Sequence, residues 1–159
     1  TTNVDMALAN SRARLRMTTL YYYSGFLGRL VAGTGNKVED FGVGFYTKYG
    51  DGGVDLSPIA DLLKSEVYDL GTALEVPESI LTAAPSDGLF GDSRSDEDQI
   101  GASYPELEWA MNAIENGKTA NDFEGRERTV IEIYLRYNSA NKHKMNPIPV
   151  CEIPENLKY

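Results

Sequence analysis

Residues 33–55 read GTGNKVEDFGVGFYTKYGDGGVD, and how this stretch is read decides the fold. A short apolar run, RLVA at 29–32, feeds into it and predicts a short buried strand over residues 30–32. The loop after it is rich in glycine, aspartate, threonine and lysine. α/β proteins place ligands in loops at strand ends. This loop offers backbone N–H groups, a metal-capable carboxylate and two ammonium groups within one small volume, which suits phosphate held together with a divalent cation. Its glycines fit a second reading equally well, a Gly-Asp turn that only reverses the chain.

Working outward, residues 10–26 predict a helix with an Arg-rich face and one buried stripe, with Tyr21, Tyr22 and Tyr23 read as core and dimer interface. Gly28 marks the turn after it. Downstream, LSPIADLLKSEVYDLGTALEV at 56–76 predicts a single helix. Pro58 suits its first turn, and Ile59, Leu62, Leu63, Val67, Leu70 and Leu74 recur at spacings of three and four. A short helix is expected over 77–81 and a mobile polar loop over 84–98. Further helices are expected over 104–116, carrying Trp109 and stopped by Gly117, and over 124–141, with Val130, Ile133, Tyr134 and Tyr137 on one side. The proline-containing tail, residues 145–159, reads as extended. This pattern has one or two strands against five helical segments, whereas a three-layer α/β domain has several strands. Either strands are hidden in the pattern or a sheet-building half lies outside the chain.

The 159 residues suffice for one domain with a core, and 42% hydrophobic against 25% charged residues describes a globular chain. A net charge of -9 and a pI near 4.6 argue against non-specific binding to nucleic acid or an anionic membrane. Basic residues are nevertheless clustered in NSRARLRM and NKHK, which leaves room for an anionic small ligand. No apolar run approaches the ~20 residues of a membrane span, and the polar, then basic start has no signal-peptide pattern. The single cysteine, Cys151, precludes an internal disulfide framework and fits a reducing, cytoplasmic setting. One histidine and no cysteine cluster argue against zinc.

Five pieces stand in order along the chain: NSRARLRM at 10–17, GTGNKVE at 33–39, GFYTKYGDGGVDLSPIADLLKSEVYDL at 44–70, APSDGL followed by SDEDQIGASYPEL, and NKHK near the end. In these motifs the chain resembles the ammonia-dependent NAD synthetases of bacterial type, over almost its whole length. The family's SGGxDS phosphate loop is absent, so the resemblance implies that residues 1–159 are the C-terminal portion of a single NAD synthetase domain. The implied fold is α/β, a helix-rich part of a doubly wound parallel-sheet domain of the adenine-nucleotide hydrolase-like, N-type ATP pyrophosphatase kind. The implied reaction uses ATP to adenylate the nicotinate carboxylate of deamido-NAD, releasing pyrophosphate; ammonia then displaces AMP to give NAD. Mg2+ and a homodimer with the deamido-NAD site at its interface are implied as well.

The resemblance also implies roles, residue by residue. Arg14, Lys48, Asp55, His143 and Lys144 contact deamido-NAD, the last two from the partner subunit. Thr34, Lys64 and Ser86 contact ATP, with Lys64 offsetting charge on the leaving pyrophosphate. Glu39 and Ser86, which replaces the family's usual threonine, are the metal ligands. Asp51 holds and deprotonates ammonium. Taken singly, each has a plainer reading: a solvated helix face for Arg14, Glu39 and Lys64, a turn for Thr34 and the aspartates, a surface position for His143. One extra residue separates Glu39 from the next motif relative to the family's commonest form. Residues 86–98 are the family's loop over the active site, and Arg12 and Arg16 read as structural. The alternative from a different class is a non-catalytic nucleotide-binding or dimerisation module, motivated by the missing phosphate loop. Another N-type pyrophosphatase is a third reading, against which KYGDGGVD and the His-Lys pair speak.

Overall fold

The apolar run before the glycine-rich loop does not build a sheet. The computed structural model describes residues 2–86, 88–90 and 95–158, and among these the predicted strand is a single parallel bridge between Ala32 and Leu56. Asp55 and Leu56 donate their N–H groups to the Val31 carbonyl, and Gly33 donates to that of Leu56. Val31 is buried, but Leu30 is 70% exposed, so one edge of this pair meets solvent. The expected doubly wound sheet is therefore reduced to one rung among the described residues.

Helix α1 spans Asn3–Leu27, longer than predicted, because Thr2 and Asp5 form a capping box that starts it early. Gly28 ends it in the left-handed region at φ 61°, as the sequence suggested. The single buried stripe does not materialise: Ala9 and Ala13 alone are buried, packing on Leu89. Tyr22, Tyr23 and Phe26 are exposed, with the Tyr22 ring against each of the other two, which corrects the reading of Tyr22 and Tyr23 as core.

The core lies further along. A π-helix, Lys37–Val43, places Val38 and Val43 five residues apart in the same apolar cluster. A π turn carries more residues than an α turn, and it falls where the family resemblance puts its extra residue. It packs on α5 (Tyr104–Glu115) and α6 (Gly125–Met145), which also pack on each other. Leu107 and Ile131 fill that junction. Ser103 caps α5 through a box with Glu106, and Arg126 of α6 clamps the same Glu106 with bonds of 2.7 and 2.8 Å.

Two predicted elements are corrected. The helix expected over 56–76 forms only as α2 (Lys64–Ala73), because the Leu62 carbonyl accepts the Lys37 N–H and residues 58–61 are held as turns. Its far end closes at Glu75, at φ 57°, with Val76 bonded back to Gly71. After the expected short helix, α3 (Glu78–Leu81), the predicted loop over 84–98 becomes helical from Asp96, because Ser95 and Asp98 form a capping box that starts α4 (Asp96–Ile100). Asp87 and residues 91–94 of that loop lie outside the described residues. Residues 146–158 of the tail are extended except for one turn at Glu155–Leu157, while Met145 still belongs to α6.

Candidate functional site

α1, the strand-end loop, the π-helix, the start of α2 and the end of α6 meet around a cleft of about 1020 Å³. Of the ten residues singled out from the sequence, all but Asp55 line it: Arg14, Thr34, Glu39, Lys48, Asp51, Lys64, Ser86, His143 and Lys144. Pieces of chain more than a hundred residues apart thus deliver cations, carboxylates and hydroxyls to one space. His143 and Lys144 line the same cleft as Arg14 within this one chain.

Glu39 is the most elaborately held of these groups. Asn36 caps the π-helix, accepting the Glu39 N–H at 3.1 Å while its amide donates to Glu39 Oε2 at 2.6 Å. The Tyr104 hydroxyl donates to Glu39 Oε1 at 3.0 Å and reaches Asp96 Oδ2 at 3.5 Å. Lys64 Nζ stands 4.0 Å from Glu39 Oε2 and 4.7 Å from the centre of the Tyr104 ring. Both side chains are largely covered, 20% exposed for Lys64 and 18% for Glu39. The plainer reading of either as solvated is therefore wrong, and Lys64 opens α2 where the sequence suggested the middle of a helix. Burial, then the charges of Glu39 and Asp96, push the Tyr104 hydroxyl far above its ordinary range, so it stays a donor.

The motif loop is fastened from both sides. Asp51 Oδ1 accepts the Thr47 N–H at 2.9 Å, and Thr47 Oγ1 donates to Asn10 of α1 at 2.8 Å. Arg14 Nε donates to the Lys48 carbonyl at 3.3 Å, and Lys48 Nζ to the His143 carbonyl at 2.5 Å. Lys144 Nζ donates to the carbonyls of Gly44 at 2.8 Å and Tyr46 at 2.6 Å. An ammonium has three protons, so these two bonds leave one to direct elsewhere. Asp40, half-buried, is pushed up to about 7 by burial first and then by Glu39 and Asp51. Burial lowers the Lys144 ammonium, against the opposing pull of Asp51.

Asp55 is the exception. Its carboxylate accepts the Val31 N–H at 2.8 Å and the Tyr21 hydroxyl at 3.0 Å, away from the cleft. Ser86 lies at the cleft wall and accepts the Gly88 N–H at 3.3 Å. Arg12 and Arg16, read as structural, tie residues 88 and 89 to α1 by donating to the carbonyls of Leu89 and Gly88. Sequence reasoning missed Asn36, Tyr104 and Asp96. Asn36 sits inside the GTGNKVE motif with an N-cap spacing to Glu39, a signal that was available. Tyr104 carries none beyond its capping serine.

Among the described residues no three His, Cys, Asp or Glu side chains could hold a metal ion together. Glu39 and the Ser86 hydroxyl are still compatible with Mg2+, which takes one or two carboxylates and fills its remaining positions with water and substrate phosphates.

A cleft this large, with four cationic side chains on its walls and a glycine-rich strand-end loop at its base, has the chemistry of a nucleotide-handling domain. The sequence model of the NAD synthase family matches residues 1–148, and the chain belongs to that family. It is 47% identical over 124 residues to an NH3-dependent NAD+ synthetase of Methanococcoides burtonii, covering 78% of this chain and 44% of that protein. It is 43% identical over 152 residues to the one from Archaeoglobus fulgidus, covering 96% and 58%. Similar solved structures include an NMN synthetase from Francisella tularensis, with TM-score 0.73 and 34% identity over 92% of this chain and 56% of that one. An NH3-dependent NAD synthetase from Campylobacter jejuni in complex with nitrate gives TM-score 0.68 and 28% identity over 96% and 57%. The chain spans about half the length of the curated relatives it matches.

Proposed function

We propose that the chain is the C-terminal portion, residues 1–159, of a single doubly wound NAD synthetase domain that amidates deamido-NAD to NAD with ATP and ammonia. The observation that carries this is the convergence of nine motif residues, from five separate segments, on one cleft. In the first step a nicotinate carboxylate oxygen attacks the α-phosphorus of ATP and pyrophosphate leaves. In the second, ammonia attacks the acyl carbon, the C–O bond to phosphate breaks and AMP leaves.

Each residue has work suited to its place. Arg14, Lys48, His143 and the remaining proton of Lys144 face the dinucleotide, where a guanidinium offers paired donors to pyrophosphate or carboxylate. Thr34, Ser86 and Lys64 face ATP, with Lys64 offsetting charge on the departing pyrophosphate. Asp51 accepts the proton that ammonium must lose to become a nucleophile. Asp55 holds the Val31 N–H and Tyr21, and its carboxylate, with about four acceptor positions, can also accept from the dinucleotide. Glu39 and Ser86 would hold Mg2+, which supplies charge neutralisation at the phosphates when bound. The exposed Tyr22, Tyr23 and Phe26 support a homodimer. The one cysteine, Cys151, is a free thiol, which supports a reducing, cytoplasmic setting. Among the described residues no helix is long and apolar enough to cross a membrane.

The likeness to the Francisella tularensis NMN synthetase favours a second substrate reading, in which the amide product is NMN. The test is to incubate the full-length protein carrying this chain with ATP, 15N-ammonium and either deamido-NAD or nicotinate mononucleotide, and to weigh the products. Labelled NAD supports the first reading and labelled NMN alone the second. No labelled amide from either would overturn both.

A further inference from the structure

The middle of α6 has no part in the roles above, yet it makes an ordered set of bonds to the π-helix. Asn138 Nδ2 donates to the Gly42 carbonyl at 2.8 Å and Asn141 Nδ2 to the Val43 carbonyl at 2.8 Å. Lys144 continues the series at the Gly44 carbonyl, also 2.8 Å. The donors recur every third residue along one face of α6, and their acceptors are three consecutive carbonyls. Those carbonyls belong to the end of the π-helix and to Gly44, its left-handed cap at φ 62°. They are the groups that a helix C-terminus leaves without partners. Residues 42, 43 and 44 are all buried, so water does not serve them and side chains must.

Short asparagine side chains reach only because the backbone comes very close. A Cβ placed on Gly44 would stand 2.5 Å from the Asn141 Cβ, and one on Gly42 would stand 3.3 Å from the Tyr134 ring. A π turn is rare and survives where its surroundings hold it. If it relaxed to an α turn, one residue would leave the helix, and the chain beyond would rotate by about 100° and shift by about 1.5 Å relative to Glu39. That shift would separate Glu39 from the loop carrying Lys48 and Asp51.

We propose that Asn138 and Asn141 are positioning residues: by capping the open end of the π-helix from α6, they fix the register that places Glu39 and the Asp51 loop in one cleft. The kinetic consequence rests on the proposed NAD synthetase activity; the structural one does not. The amide nitrogens of both asparagines are spent on backbone carbonyls, although Asn141 also lines the cleft, and they act through the backbone that carries Glu39.

The test uses the full-length protein with Asn138→Ala, Asn141→Ala and the pair, read by amide hydrogen exchange and by steady-state kinetics. The Gly44 and Phe45 N–H groups both bond the Glu39 carbonyl. Their exchange should quicken about thirtyfold in the pair, as loss of two ordinary hydrogen bonds of about 1 kcal/mol each implies, while the α5–α6 core keeps its protection. The Mg2+ concentration giving half-maximal rate should rise about thirtyfold, the same loss read at Glu39, and KM for ammonia should rise with it, because Asp51 rides on the displaced loop. Uniformly faster exchange in α5 and α6, or a lowered thermal midpoint with the Mg2+ requirement unmoved, would show a merely structural role and overturn the proposal. Should the wild type make no amide product, the assigned activity fails and exchange at Gly44 and Phe45 still decides the clamp. Should the pair not fold, Asn141→Asp decides it: the same size, but an acceptor against the Val43 carbonyl, it should exceed Asn141→Ala in effect, and the reverse order would contradict the clamp.

Discussion

Replacing Tyr104 by Phe isolates what one hydroxyl contributes to the site. The phenol donates at 3.0 Å to Glu39 Oε1, whereas its 3.5 Å approach to Asp96 is at the outer limit of a hydrogen bond. The ring itself would stay, still packed in the core and still under Lys64. The loss is thus one bond to a charged acceptor, worth about 1.5–3 kcal/mol, of which the larger part is the cost of leaving a mostly covered carboxylate less well solvated. For a chain of this size about 2–4 °C accompanies each kcal/mol, so the thermal midpoint should fall by about 3–12 °C. The assay is thermal and urea unfolding of Tyr104→Phe beside wild type, completed as a cycle with Glu39→Gln. The Tyr104 substitution should cost markedly less once Glu39 is already Gln, because the two share the bond. A loss below about 0.5 kcal/mol, as for an ordinary surface change, or full additivity in the cycle, would refute the view that Tyr104 holds Glu39.

The same geometry makes further demands. Glu106 is held down to about 2, chiefly by Arg126 and then by the Ser103 N–H; a depressed carboxylate contributes stability above its unfolded pKa and loses it as pH falls through the folded one, so the gap in unfolding midpoint between wild type and Glu106→Gln should be full at about pH 6 and close between about 4.5 and 2. Ile131→Ala should destabilise by about 2–5 kcal/mol in urea unfolding, since Ile131 is fully buried where the π-helix, α5 and α6 meet. Lys64→Ala should slow pyrophosphate release in the full-length protein and also lower stability measurably, because this lysine covers the Tyr104 ring beside Glu39; unchanged unfolding would return it to the solvated reading.

Much of the site was legible because its residues are chemically unusual where they stand: glycines around a lone glutamate, a Lys-Tyr-Gly-Asp run, a His-Lys pair at the end of a helix. The illegible part depends on partners far away in sequence. Ile59, Leu62 and Leu63 keep helical spacing, but the Leu62 carbonyl is taken by the Lys37 N–H, a competitor that no local pattern announces. The burial of Lys64 depends on Tyr104, forty residues on. The π-helix is hidden for another reason: it differs from an α-helix in which carbonyl each N–H selects, and composition does not record that choice. Asp55 shows the converse, a motif aspartate for which the sequence announced neither the Val31 N–H nor the Tyr21 hydroxyl that its carboxylate accepts. The strand shortage read from the sequence is present in the structure as a single bridge among the described residues.

The central claim is that one cleft, closed by the end of α6 over the π-helix, holds the reactants. Its most direct test is a crystal structure of the full-length protein with deamido-NAD and a non-hydrolysable ATP analogue. Electron density for both ligands in the cleft, with Lys64 on the ATP phosphates and Arg14, Lys48 and Lys144 on the dinucleotide, is the predicted result. Density for either ligand outside that cleft, or within it but out of reach of Lys64 and Lys144, would contradict the account.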